Sequence, residues 1–586
     1  MSQLLESAIH DSGKFRKKSV GRLTFAAFIV FGVFLIYAIQ LFKIQAVDAS
    51  ELAQEGFEAR IREVVVPAMR GSITDVNGIV LATTVPAFNV TADQTKVIKP
   101  KETAKLLAPI LKLDSSELAS KLVGEKKFTF VARAVTPQVW AAVAELELPG
   151  IFSEKTTRRV YPYGDLAGNI LGFTGIDGHG LEGLESSLES QLGGKDGLMI
   201  FEGGAAGRKI PATDSRTEQA VSGNGARLSI DRDLQYIAQQ AIAQKVKEAN
   251  AAWGTVVVLE PSTGRVLAMA TAPTVNPADP GAINKDSRKN VAVTDVFEPG
   301  STGKLLTFAA ALEEKVITPL SKLTIPPTLK RPGKVFKDHS PHGTLKLTAN
   351  GVLAQSSNIG TIMIAEKLPK EEILYDYFVK FGIGQPTGLN FSGESNGLLR
   401  KPSDWSQTTY PTMAFGQGYS ITSLQMASVF ATIANDGVRM PVSIVDGFTQ
   451  GDGTFIPTSP KPGIRVVSAE TASTLRLMLE SVVGPDGTAP TAQINGYRVA
   501  GKTGTAQRAD SACGCYQGFT ASFIGMAPAN NPQIVVAVTL QDPKNGRYGG
   551  VLGGPVFKEV ATFALQKMRA MPQPGKIAKI PTTWGK

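Results

Sequence analysis

At 586 residues the chain exceeds one compact domain, and its 43% apolar content is enough for sizeable cores. Its net charge of +10 is spread along the sequence apart from a basic cluster near the N-terminus, which suits an anionic polymer or anionic headgroups. Zinc-finger spacing, an RNA-binding aromatic signature and a ribose-binding acidic pattern are all missing, so no nucleic acid is expected as a partner. The only cysteines, Cys513 and Cys515, have no histidine nearby. They predict no metal site, and they read either as two thiols in a loop or as one strained bond.

In chain order, residues 1–22 form a basic cytoplasmic arm, with Lys14, Arg16, Lys17, Lys18 and Arg22. Leu23 to Phe42 carries no charge and, as a helix, spans ~30 Å, the thickness of a bilayer core. The charge asymmetry predicts a cytoplasmic N-terminus and an external remainder. A cleaved signal peptide ending near Ala49 is the competing reading. Residues 43–225 are expected to form a stalk and a first external domain. Within them Val64 to Pro67 reads as a strand, and Asn77-Gly78 as a turn between apolar runs. Residues 100–150 look helical, and glycines surround a helix start at Leu181 to Glu185.

A second domain is expected over 226–570. Gly254 to Glu260 and Gly264 to Ala270 predict a hairpin, helices follow Ser301, Ala349 and Ser423, and strands return at Tyr497 to Thr505, Ala521 to Ala527 and Ile534 to Leu540. A terminal helix runs from Pro555 to Arg569. Strands bracketing a block of helices predict an α+β fold, an antiparallel sheet covered by helices. The Pro/Lys-rich residues 571–586 are expected to be disordered.

Three short motifs carry the chemistry. Ser301-Thr302-Gly303-Lys304 follows Pro299-Gly300 at a predicted helix start, and residues three apart share one helix face. There the dipole favours negative charge, and a desolvated amine can serve as a base, giving an activated serine without histidine. Ser356-Ser357-Asn358 should open or interrupt a helix, and by itself it is equally a cap. Lys502-Thr503-Gly504-Thr505 lies in a strand, where a glycine permits close approach by a backbone or an extended peptide.

The ordered set resembles the penicillin-recognising serine transferases. Phe297-Glu298-Pro299-Gly300-Ser301-Thr302, Val499 to Gln507, Gly416-Gln417-Gly418, Leu424-Gln425 and Ser522 to Gly525 look like class B penicillin-binding proteins, as do the segment from Arg70 and the Leu181–Glu185 stretch. The layout of arm, anchor, pedestal and transpeptidase is similar to the septal cell-division type. Departures include Val76 where arginine is usual, Ser423 where proline is usual, and Gly553-Gly554 near the last helix.

The resemblance implies a monofunctional serine-type D-Ala-D-Ala transpeptidase acting on peptidoglycan stem peptides, without cofactor. Ser301 is then the nucleophile, Lys304 the base, and Ser356 the proton relay. Asn358 holds Lys304 and the peptide, and Lys502 is the source of positive field. Ser357, Thr503, Gly504 and Thr505 bind substrate. The implied partners are the membrane, a membrane glycosyltransferase and division proteins, and β-lactams would acylate Ser301. An elongation-type transpeptidase, a β-lactam sensor and a non-catalytic division scaffold are the alternatives.

Overall fold

A computed structural model describes residues 2–58, 61–202, 216–510, 513–572 and 579–585. The chain folds as two units, one of residues 1–67 with 196–220 and the other of 68–195 with 221–586. In the first unit a helix runs over Ser2–Phe42, continues through a five-residue π turn, Lys43–Val47, and is followed by the helix Ala49–Glu58. Its stretch Val20–Val47 is 28 residues long, an 18-residue window within it has mean hydropathy 2.4, and none of that window is buried within the protein. Phenylalanines such as Phe25, Phe28, Phe31 and Phe34 lie exposed along it, which fits a single-pass membrane anchor. The charge-free segment 23–42 is the C-terminal half of the helix Ser2–Phe42. The same unit carries a three-stranded antiparallel sheet of Ile61–Val66, Gly197–Glu202 and Arg216–Glu218.

The second unit is built around a five-stranded antiparallel sheet. Its order is Arg265–Ala272, Trp253–Glu260, Ile534–Gln541, Cys515–Ala527 and Ala500–Asp510. Both faces are covered, so the strands read as near-continuous apolar runs, with neighbours pointing to opposite layers. Val256, Val258, Val536 and Val538 pack toward Arg232–Ala249 and Gly549–Lys567, with Phe557 among them. Val257, Leu259, Val535 and Ala537 pack toward Lys304–Glu313, Asn358–Ala365, Ser423–Ala434 and Ala469–Val483. Each such valine gains roughly 1.5–3 kcal/mol by leaving water, which makes this sheet a rigid base. Its Ala500–Asp510 strand is an edge, and that edge carries the Lys502 motif.

A seven-stranded sheet in the same unit joins Ile73–Thr74 in parallel to Gly225–Leu228, so the boundary expected near 225 falls inside a sheet. The Asn77-Gly78 turn closes the expected hairpin onto Val80–Ala92. Residues 100–150 hold three helices, but Thr129–Val135 is a strand paired with Val80–Ala92. Its β-branched and aromatic residues at Thr129, Phe130, Val131 and Val135 favour extended backbone between the expected helices. Nearby, Glu185 is wholly buried and satisfied by Arg70 at 2.6 Å, Arg159 at 2.7 Å and the Tyr161 hydroxyl. Paired donors of this kind are what allow a carboxylate to be buried.

The tail departs from expectation. Residues 573–578 lie outside the described residues, but 579–585 are packed rather than disordered. Thr583 bridges to Leu347, Thr348 Oγ1 donates to the Pro581 carbonyl at 2.6 Å, and Asn350 Nδ2 donates to the Ile580 carbonyl at 2.9 Å. Trp584 Nε1 donates to the Leu323 carbonyl at 3.0 Å, with Lys322 and Lys346 against its ring. Composition alone passes over these pegs, an aliphatic side chain and an indole flanked by cations.

Candidate active site

Ser301 lies in a short 3-10 turn, Gly300–Gly303, that feeds the helix Lys304–Glu313, so Lys304 follows it by about one turn. The turn rests on the sheet edge. Gly300 has φ +55°, and a Cβ there would sit 2.9 Å from that of Ala506. Only glycine meets both demands cheaply. The Gly300 amide donates to the Gly416 carbonyl at 2.8 Å, which pins the turn from the other side.

Lys304 and Lys502 are both wholly buried. Lys304 Nζ donates to the Ser356 carbonyl at 2.5 Å and approaches Ser356 Oγ at 3.2 Å. Lys502 Nζ reaches the same Oγ at 2.8 Å. Ser356 sits between the helices Ala349–Ala354 and Asn358–Ala365 with φ +59°, a left-handed conformation costing roughly 1–2 kcal/mol for a residue with a Cβ. That strained corner aims one hydroxyl at two amines.

Burial removes water from both ammonium groups and so favours their neutral forms. It brings Lys304 down to about 7, against a partly opposing attraction from Asp338. Lys502 is pushed well below the usual lysine range by burial first and by the charge of Lys304 second. Both amines are therefore held toward their neutral forms.

Above the lysines opens a cavity of about 600 Å³, lined among others by Ser301, Ser356, Asn358, Gln417, Thr503 and Thr505. Among the described residues the Ser301 hydroxyl takes part in no hydrogen bond, which leaves it free for a ligand. Thr503 Oγ1 pairs with Thr488 Oγ1 at 2.8 Å, and Thr505 Oγ1 accepts from the Gly549 amide at 3.3 Å. The three motifs thus meet around one space.

Three expected roles are placed differently. Ser357 is buried, caps the helix Asn358–Ala365 by accepting from the Gly360 amide, and donates to Asp338 at 2.7 Å, so it does not face the cavity. The φ of Ser356 turns the following side chain inward, and the capping alternative describes Ser357. Gly504 does not line the cavity either. A Cβ there would lie 2.3 Å from Ser522 Oγ and 3.0 Å from the Pro299 carbonyl oxygen, so it is the turn bearing Ser301 that needs this glycine. Asn358 Nδ2 donates to the Lys337 carbonyl at 3.2 Å, and Lys304 is held by Ser356 instead.

Sequence reasoning missed Asp338 and its surroundings. The Asp338 carboxylate accepts from the amides of Asn358 and Ile359, from Ser357 Oγ and from His342 Nε2, which fixes the N-terminus of the Asn358 helix. His339 faces Tyr548 edge-on at 5.9 Å, and both line the cavity. The available signal was that two of only four histidines fall within 339–342. Cys513 and Cys515 are joined in a disulfide, and Tyr516 beside them donates to Glu298 at 3.3 Å, three residues ahead of Ser301.

A serine on a helix-leading turn, two desolvated lysines converging on a second hydroxyl and an open sheet edge together define a serine-type acyl-transfer site. Residues 254–562 match the penicillin-binding protein transpeptidase domain, and residues 65–228 match the penicillin-binding protein dimerisation domain. Penicillin-binding protein PbpB of Mycolicibacterium smegmatis is 37% identical over 93% of this chain and 90% of its own length. Peptidoglycan D,D-transpeptidase FtsI of Escherichia coli is 35% identical over 90% of this chain and 89% of its own. The crystal structure of penicillin-binding protein 3 from Mycobacterium tuberculosis, complexed with ampicillin, superposes with TM-score 0.71 at 33% identity, covering 89% of this chain and all of that one. The chain belongs to the penicillin-binding protein transpeptidases.

Proposed function

We propose that this protein is a peptidoglycan D,D-transpeptidase that crosslinks stem peptides through a Ser301 acyl-enzyme. The observation that carries the reading is the meeting of Lys304 and Lys502 on Ser356 Oγ beneath the cavity that Ser301 lines. The donor peptide adds alongside the edge strand Ala500–Asp510, with its terminal carboxylate at the Thr503 and Thr505 hydroxyls. That negative charge favours the protonated form of Lys502 over that of Lys304, which serves as the neutral amine. Ser301 Oγ attacks the penultimate D-Ala carbonyl and loses its proton to Lys304. The backbone amides of Ser301 and Thr505 hold the oxyanion, each typically worth ~3 kcal/mol in the transition state. Ser356 returns a proton to the nitrogen of the departing D-Ala, and an amine from a neighbouring stem then resolves the ester. A β-lactam presents the same carbonyl and carboxylate but keeps its leaving group tethered, so it acylates Ser301 and stays.

Support for the activity comes from the relatives' names and from the ampicillin-bound neighbour. The anchor with its basic N-terminal arm supports single-pass insertion with the catalytic unit outside the cell membrane. The arm–anchor–pedestal–transpeptidase layout supports a role in septal wall synthesis beside a membrane glycosyltransferase and division proteins. Fluorescent penicillin should label the intact protein in membranes and fail to label Ser301→Ala. Equal labelling of both would overturn the reading, and release of trimmed rather than crosslinked stems would make the enzyme a hydrolase.

A further inference from the structure

The cavity that holds Ser301 is lined by Lys334, Lys337 and Arg547 and, among the described residues, by no carboxylate. None of these cations forms an ion pair among the described residues, and each is exposed. Two acids stand close by, and neither forms an ion pair with them. Asp338, behind Lys337, is occupied by Ser357, His342 and two helix amides. Glu298, whose carboxyl feels Lys334, is mostly buried and accepts from Gly418 and Tyr516.

The cations are also spread out. Arg547 stacks on Tyr548 at 5.0 Å, and Tyr548 abuts His339. Lys337 follows two residues before His339, its carbonyl tied to Asn358. Lys334 stands at the far end of the hairpin Leu329–Arg331/Lys334–Phe336, within reach of the field of Glu298. The ring of His339 registers the surroundings: burial first, then Lys304, Arg547 and Lys502 hold its pKa down against Asp338.

A single terminal carboxylate at Thr503 and Thr505 leaves the hairpin cations unanswered. We infer that Lys334 and Lys337 select donor peptides carrying a free carboxylate upstream of the D-Ala-D-Ala end, in preference to the same peptide with that group amidated. The inference rests on the transpeptidase reading of this cavity and names the charge of its substrate. Exposed ammonium–carboxylate contacts are individually weak and screened by salt, so the selection acts mainly on capture of the donor and fades as ionic strength rises.

The test uses the full-length protein in detergent and two synthetic pentapeptide donors that differ only in an upstream carboxylate or carboxamide. Acylation kcat/KM is measured for each at low and high salt. The free acid should be preferred about four-fold or more at low salt, with the ratio approaching one at high salt and in Lys334→Ala/Lys337→Ala. Lys334→Arg/Lys337→Arg should restore the ratio, which a merely structural role would not predict. Equal use of the donors, or a ratio unmoved by the alanine pair, overturns the inference alone. If neither donor acylates Ser301, the transpeptidase reading falls and takes this inference with it.

Discussion

Four lysines surround one cavity, and they divide into two kinds. Lys304 and Lys502 are wholly buried beneath it and share one hydroxyl, while Lys334 and Lys337 stand exposed at its rim. The side chain is the same and the chemistry is opposite. Below the floor, loss of hydration turns the ammonium into a group that releases its proton near neutrality. At the rim, water keeps the cation solvated, and its only contribution is a screened field. Burial, not residue type, decides which lysine can release its proton near neutrality.

Arginine substitution breaks the comparison most sharply. A guanidinium keeps its charge at any working pH, so it preserves a field and abolishes a base. Lys304→Arg should lower the rate of penicillin acylation by about 10³-fold or more, within the range expected when a general base is lost and the floor is overfilled. Stopped-flow acylation with a chromogenic β-lactam measures it. A Lys304→Arg enzyme within ten-fold of wild type would remove Lys304 from the role of base. A melting curve recorded alongside separates lost chemistry from lost fold.

The pH profile is the next largest effect. Below about 7 the buried pair gains a proton on Lys304, and above it that amine is free. Only the free amine accepts the Ser301 proton, so second-order acylation should fall about ten-fold per pH unit below the inflection and level off above it. A rate that stays flat from pH 5 to 8, or falls as pH rises, would contradict the desolvated floor.

The two kinds of lysine also show what the sequence reveals. Ser301, Lys304, Ser356 and Lys502 were legible because each belongs to a short motif whose spacing survives folding. The apolar runs Thr255 to Leu259 and Ile534 to Leu540 announced the central sheet for a similar reason, since strands covered on both faces are continuously hydrophobic. The roles of Ser357 and Gly504 were misplaced because a motif gives order along the chain but not the direction of a side chain. One left-handed residue, Ser356, sets that direction. Asp338 and Lys337 were invisible because they reach the site through pairing in three dimensions, about twenty residues upstream of their partners.

The tail yields the smallest effect. Residues 579–585 lie against the strands and helix that lead to Ser356, through the Thr348, Asn350 and Leu323 contacts. Gly351 permits the close approach, since a Cβ there would lie 1.8 Å from the Thr582 carbonyl oxygen. The five hydrogen bonds of residues 580–584 and one indole are worth roughly 1–3 kcal/mol together, after the cost of ordering the tail. Truncation after Lys579 should therefore lower the melting temperature by about 1–3 °C, since a unit of this size shifts by only about 1 °C per kcal/mol. Acylation should slow by less than about three-fold, because the Lys304–Ser356–Lys502 contacts do not include the tail. A truncation that halts acylation while melting normally would show that the tail sets the Ser356 corner itself, and the line between buried floor and outer brace would have to be redrawn to include it.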